Sequence, residues 1–285
     1  MRRDKIMITL EDQDIEQFRE YLFERENSSA TIVKYTADIR TFYKFLQEGT
    51  TVEKSTVINY KEWLLEHYAP ASVNSMLVAL NQFLMFLGAS ELKVRRIRVQ
   101  KQMFSRQEKE LTREEYNRLV KAAKDTGKYK LALLIETVCA TGIRISELSY
   151  FTLEAVKKGK IVVSNKGKVR QILIPDTLRK KLLYFAQKEH IEKGVLFITK
   201  NGKPKNRSNI WAEMKKLYKA SGIAPEKIFP HNLRHLFARV YYQMTRDIVG
   251  LADILGHSSL DTTRIYMSSG SEIYKKRFEK MKLIN

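Results

Sequence analysis

Leu255-Gly256-His257-Ser258-Ser259-Leu260-Asp261-Thr262-Thr263-Arg264-Ile265-Tyr266 stops an apolar helical run at a glycine, presents a histidine, and restarts a short helix that reaches a tyrosine nine positions later. Glycine suits a helix stop because it accepts the left-handed backbone that ends an α-helix. Two upstream stretches have the same character. Ala140-Thr141-Gly142-Ile143-Arg144-Ile145-Ser146-Glu147-Leu148 and His231-Asn232-Leu233-Arg234-His235 set charged side chains inside apolar sequence, where an unpaired charge is costly. Arginine, histidine and a late tyrosine are the parts of phosphoryl transfer to a phenol. The guanidinium fork donates two parallel hydrogen bonds to phosphate oxygens and keeps its proton, while the phenol becomes a nucleophile once a neighbour takes its proton.

Outward from these stretches the chain divides into a helical domain over 1–92, a basic linker over 93–109, and a second domain over 110–285. The fold class is mainly α with a small antiparallel sheet in the second domain. In the first domain, Ile15, Phe18 and Leu22 give Glu11–Arg25 a helical stripe, and Ser28 or Ser29 can cap a helix carrying Ile32, Tyr35, Ile39, Phe42 and Leu46. A third helix spans Val52–His67, and a fourth follows Pro70 with Ser72 as its cap and stops at Gly88. Periodicity is lost from Lys93, and Thr112-Arg113-Glu114-Glu115 reads as a capping box that opens the second domain. Lys160–Asn165 and Arg170–Pro175 are β-rich runs forming a hairpin around Lys166–Val169, and Val195–Thr199 is a third strand candidate. Helices are expected over about 176–190, 208–220, 232–243, 247–255 and 261–267.

Composition narrows the partners. The 285 residues carry a net charge of +20, and because residues 1–100 hold 14 basic and 14 acidic side chains, the whole excess lies beyond them. A basic lobe of this kind marks a polyanion partner. No run approaches the roughly 20 apolar residues that cross a bilayer, so a cytoplasmic protein without a membrane partner is expected. The single cysteine, Cys139, excludes an internal disulfide and sits in an apolar run, which reads as a buried, inert thiol. His231 and His235 share a helix face at metal-ligand spacing, but the glutamate of a zincin is missing and Arg234 lies beside them, so neither a metal nor any other cofactor is expected.

In these motifs the chain resembles the tyrosine recombinase (phage integrase) family, and most nearly its Xer-type members or small mobile-element integrases. The resemblance covers almost the whole chain. It implies catalytic roles for Arg144, Lys166, His231, Arg234, His257 and the nucleophile Tyr266, with Glu147 and His235 in support. His231 is the base or hydrogen-bond partner of the phenol, and His257 donates to a non-bridging oxygen. Lys166 protonates the leaving 5′-oxygen, with Lys168 as its rival. Departures are small: Ile143 and Leu236 stand where the family commonly has leucine and threonine. Arg95, Arg96, Arg98 and Lys101 in the linker, with Lys168 and Arg170 on the hairpin, are expected to lie on DNA phosphates.

The implied function is site-specific recombination of double-stranded DNA at paired sites through a 3′-phosphotyrosyl intermediate. It implies a homotetramer, or a hetero-assembly with a second recombinase, and a Holliday junction. Mobile-element integration, excision or inversion would use the same chemistry, as would a type IB topoisomerase. A DNA-binding protein without catalysis would keep the basic surface but has no use for all six active residues. No arm-binding domain is expected before Leu10, and the amphipathic tail Tyr274–Ile284 is suited to docking on a neighbouring subunit.

Overall fold

The computed structural model describes residues 7–46, 51–98, 110–165, 168–199, 201–257, 259–263, 266 and 281. It forms two compact units, Met1–Lys101 and Gln102–Asn285. Lys101, Lys166 and all of the tail 274–284 except residue 281 lie outside the described residues.

The first unit is the expected four-helix arrangement. Its helices are α1 (Asp12–Glu24), α2 (Ser29–Leu46), α3 (Lys54–His67) and α4 (Pro70–Phe86). The stripe of Ile15, Phe18 and Leu22 is buried, and the Phe18 ring meets Phe83 edge-on with centroids 5.1 Å apart. Each such side chain withdrawn from water is worth about 1.5–3 kcal/mol. Ser28 accepts from the Thr31 amide at 3.3 Å, so it caps α2. Two boundaries differ from expectation. Val52 does not open α3; Thr51–Val52 forms strand β2, which pairs antiparallel with β1 (Ile8–Thr9). Ser72 does not cap α4, because Pro70 takes the first helical position, where its missing N–H leaves no donor unsatisfied and its φ is preset.

The basic segment also begins differently. Its first residues, Lys93–Arg98, do not run free but lie along α4. The Asn81 side chain donates to the Val94 carbonyl at 2.9 Å and accepts from its amide at 3.0 Å, and Asn74 makes the same pair of bonds with Ile97 at 2.9 and 2.7 Å. Two side-chain amides thus satisfy the extended backbone as a neighbouring strand would. Val94 turns inward, and Arg95, Arg96 and Arg98 remain exposed.

In the second unit, Thr112 and Glu115 close the expected capping box with bonds of 2.8 and 3.1 Å, opening α5 (Arg113–Asp125). Next comes α6 (Tyr129–Thr141), whose Leu134, Ile135 and Val138 are fully buried. A 3-10 turn over Ile145–Tyr150 leads to α7 (Leu153–Lys158). Strands β3 (Lys160–Asn165) and β4 (Lys168–Leu173) pair antiparallel from Lys160↔Leu173 to Asn165↔Lys168, so β4 starts two residues before the expected run. Helix α8 (Asp176–Lys188) follows. The expected third strand, Val195–Thr199, is not one. It makes only the single bridges Thr152↔Val195 and Ile198↔Pro204, because Leu196 and Phe197 both turn into the core where a strand would alternate.

The helix expected over 208–220 breaks into α9 (Arg207–Lys215) and α10 (Tyr218–Ser221). Next come α11 (Pro230–Thr245), α12 (Ile248–Leu255) and the single turn α13 (Leu260–Thr263). Helix α6 is the centre of this unit, packed by α5, α8, α9 and α11. No helix among the described residues is long and apolar enough to cross a membrane.

Candidate active site

The quoted stretches converge where two helices end. Helix α6 stops at Gly142 in the left-handed conformation, with φ of 62°. A Cβ there would come within 2.4 Å of the Phe237 ring, so glycine is required both by the backbone and by the close approach of α11. The reversal delivers Arg144 to the start of the 3-10 turn. Glu147, only 2% exposed, accepts from the Arg144 amide at 2.8 Å and from its Nη1 at 3.1 Å. The buried carboxylate therefore holds the arginine at both its backbone and its guanidinium.

Helix α12 stops in the same way at Gly256, φ 63°. Its last carbonyls have no partner within the helix and form the negative end of its dipole. Three arginines from three different elements take them in succession. Arg170 Nη1 donates to Ile254 O at 2.5 Å, Arg234 Nη2 to Leu255 O at 2.7 Å, and Arg144 Nη2 to Gly256 O at 3.2 Å. Arg234 also reaches across to Gly142 O at 2.7 Å, joining the two helix ends. At 1% exposure it is the largest fully buried side chain described. Burial and Arg144 push its pKa down to about 10, which leaves it cationic at neutral pH.

Helix α11 carries His231, Arg234 and His235 within little more than one turn. The His231 ring meets His235 edge-on at 4.6 Å between centroids. His235 in turn meets Tyr266 at 5.0 Å and 90°, while His257 lies nearly parallel to Tyr266 at 6.1 Å. Tyr266 is 6% exposed, packed with Ala238, Leu251 and Leu255, and its phenol lies within the field of Arg234 and Arg144. Burial raises the phenol pKa, and Arg234 and Arg144 oppose the rise. Burial and the neighbouring arginines lower His231, and they hold His257 at about 4. Burial, then His231 and Arg239, bring His235 to about 4. At neutral pH these rings are neutral and the fixed positive charge resides on the guanidiniums.

A cavity of about 550 Å³ opens beside these groups, walled by Arg144, Ser146, His231 and Arg234 and also by Arg207 and Trp211. The sequence reading passed over those last two. One signal was available for Arg207: a cation in the first helical position after the Asn206 cap opposes the helix dipole, and local rules are often broken at functional sites. Arg170, expected on DNA phosphates, is turned inward at 13% side-chain exposure and bonded to Glu147 as well as to Ile254 O. Lys168 contributes the first residue of β4. Arg95, Arg96 and Arg98 belong to the first unit.

This geometry has relatives. The phage integrase family profile matches residues 109–272, more than half of the chain, and the profile of the phage integrase N-terminal SAM-like domain matches residues 15–91. The chain belongs to the phage integrase family. It is an enzyme of the tyrosine recombinase class. Tyrosine recombinase XerA of Pyrococcus furiosus is 29% identical over 287 residues, covering 97% of this chain and 96% of that protein. XerD of Vibrio cholerae is 26% identical over 282 residues, covering 92% and 93%. In fold, the chain resembles a lambda integrase tetramer bound to a Holliday junction, with a TM-score of 0.69 at 19% identity over 91% of this chain and 78% of that one.

Proposed function

We propose that this recombinase cuts and rejoins DNA one strand at a time through Tyr266. The phenol oxygen attacks a backbone phosphorus, a 3′-phosphotyrosyl bond forms, and the bond to the 5′-oxygen breaks. The phenol proton passes toward His231, and the leaving oxygen takes a proton from Lys166. Attack by the 5′-hydroxyl of a partner duplex reverses these steps and joins the exchanged strand. No energy source is needed, because the phosphodiester energy is retained in the tyrosyl bond.

The observation that carries this reading is the buried Tyr266 phenol, its ring against those of His235 and His257 and its charge influenced by Arg234 and Arg144, which with His231 also wall the cavity. Phosphoryl transfer is accelerated mainly by positioning and by donors fixed where charge develops. A guanidinium held by carbonyls on two helix ends has little reorganisation left to make, and each such donor is worth roughly 3 kcal/mol of transition-state stabilisation. We further propose that the working assembly is a homotetramer on two DNA sites, passing through a Holliday junction in the cytoplasm, with exposed Arg95, Arg96 and Arg98 contributing phosphate contacts. The likeness to a lambda integrase tetramer on such a junction supports this.

The test is a covalent trap. Wild-type protein is incubated with a pool of nicked candidate duplexes, and DNA attached to protein is recovered and sequenced. The expected product carries protein on its 3′ end, and Tyr266→Phe yields none while retaining the wild-type melting temperature. Adduct formation by Tyr266→Phe at wild-type yield would remove Tyr266 from this role.

A further inference from the structure

Arg170 stands apart from the other two arginines on the α12 terminus. Arg144 and Arg234 border the cavity, whereas Arg170 is not among its walls. Its guanidinium spans Ile254 O and Glu147 Oε2, so both of its η nitrogens are occupied inside the protein. Glu147 itself is shared: one oxygen serves Arg144 Nη1, and the other serves the Arg144 amide and Arg170 together. The stem of Arg170 also lies against the backbone that precedes His257. A Cβ on Gly256 would fall 2.4 Å from Arg170 Cδ and 2.8 Å from its Nε. One side chain on β4 therefore touches the carboxylate that orients Arg144 and the turn that delivers His257.

We propose that Arg170 is a positioning residue: it locks Glu147 to the α12 terminus, so that Arg144 and His257 are set before DNA arrives, and it does not contact DNA. The physical reason is that a buried carboxylate with a single cationic partner is free to follow that partner. Glu147 bonded to Arg144 alone would move with it, and the pair could swing together. Tied also to Arg170, which is tied to Ile254 O, the carboxylate becomes a fixed point. Lysine cannot replace this device, because a single ammonium cannot reproduce the planar fork that spans both acceptors. The activity arm of the test rests on the reaction proposed above. A second arm does not.

Full-length Arg170→Lys and Arg170→Gln are compared with wild type. Without DNA, hydrogen exchange is followed at the amides of Gly256 and His257, which donate to Asp253 O and Ala252 O at 3.0 and 2.9 Å. Faster exchange at both is expected in both variants. With DNA, the cleavage rate at saturation is expected to fall by about 100-fold, the scale of a misplaced catalytic group. Affinity and its salt dependence should stay at wild-type values, a split that general destabilisation does not produce. The double variant Glu147→Gln/Arg170→Gln should cleave no more slowly than the worse single variant, because the two act as one unit. Unchanged exchange at Gly256 and His257 overturns the proposal. A salt slope lower by about one in Arg170→Gln also overturns it, since that marks a lost phosphate contact. Unfolding of both variants would make Arg170 a stability element instead. If wild type forms no tyrosyl adduct, the proposed chemistry fails, and the exchange measurement still decides the role of Arg170.

Discussion

Arg234 Nη2 lies 3.0 Å from His257 Nε2. A guanidinium only donates, so this nitrogen accepts, and the proton of the neutral ring sits on Nδ1, which donates to Thr263 Oγ1 at 2.8 Å. In the free protein both His257 nitrogens are therefore occupied. To donate to a phosphate oxygen through Nε2, the ring must take the other tautomer. Thr263 permits this, because a hydroxyl can turn from acceptor to donor.

Thr263→Val is expected to leave Nδ1–H without a partner in a site where Thr263 is fully buried. An unsatisfied donor of that kind costs about 1–3 kcal/mol, so single-turnover cleavage should slow by roughly tenfold or more. Thr263→Ser should restore most of the rate. Wild-type cleavage by the valine variant would show that His257 works without a tautomer exchange.

Arg144→Lys and Arg234→Lys should both cripple cleavage, because a point charge cannot reproduce a forked phosphate contact. They should differ in stability. Arg234 is 1% exposed and bonds Gly142 O, Leu255 O and His257, so its loss orphans buried acceptors at about 1–3 kcal/mol each. Arg144, with 35% side-chain exposure, should change the melting temperature little. Thermal melts of the two variants separate these roles, and equal melting temperatures would mean that the Arg234 bonds carry no net stability.

Stability should fall on mild acidification. His235 and His257 are held at about 4 in the folded protein, against about 6.5 for an ordinary histidine. Protons therefore bind the unfolded chain first. The stability from these groups is complete above about pH 6.5 and is lost as pH falls toward 4. Between about pH 6.5 and 5, where most carboxylates are still ionised, His235→Phe should flatten the decline in melting temperature while keeping the ring contacts with His231 and Tyr266. Identical slopes in both proteins would show that His235 does not contribute. The acid limb of the cleavage profile should lie below the ordinary histidine pKa, because desolvation and the neighbouring arginines lower that of His231.

If Lys166 protonates the leaving 5′-oxygen, Lys166→Ala should cripple cleavage of an ordinary phosphodiester. A substrate with sulfur at the bridging 5′ position leaves as a stable thiolate and should restore much of the rate. Arg144→Ala should show no such rescue, since its partner charge on the non-bridging oxygens is unchanged. Rescue of Lys168→Ala in place of Lys166→Ala would transfer the role.

The four-helix unit, the Thr112 capping box and the Gly142 stop were legible from the order of residues, because periodicity, caps and helix stops are local properties. The extended course of Lys93–Arg98 was not legible. A loss of helical period looks the same whether a segment is free or bonded side by side to Asn74 and Asn81. The false third strand failed for a related reason, since a short apolar run does not reveal whether its neighbours offer a ladder of partners or single contacts.

The sequence alone determined which residue types the chemistry requires and the helix breaks that present them. Those follow from the backbone freedom of glycine and from the charges that side chains carry. Only the tertiary structure decided how each cation is employed. Arg144, Arg170 and Arg234 lie far apart in the chain and are alike as charges, yet they bind three consecutive carbonyls at the α12 terminus, and Arg170 is turned inward. The direction of a hydrogen bond and the depth of a guanidinium depend on which helix end arrives opposite it, and that is settled when the core around α6 closes.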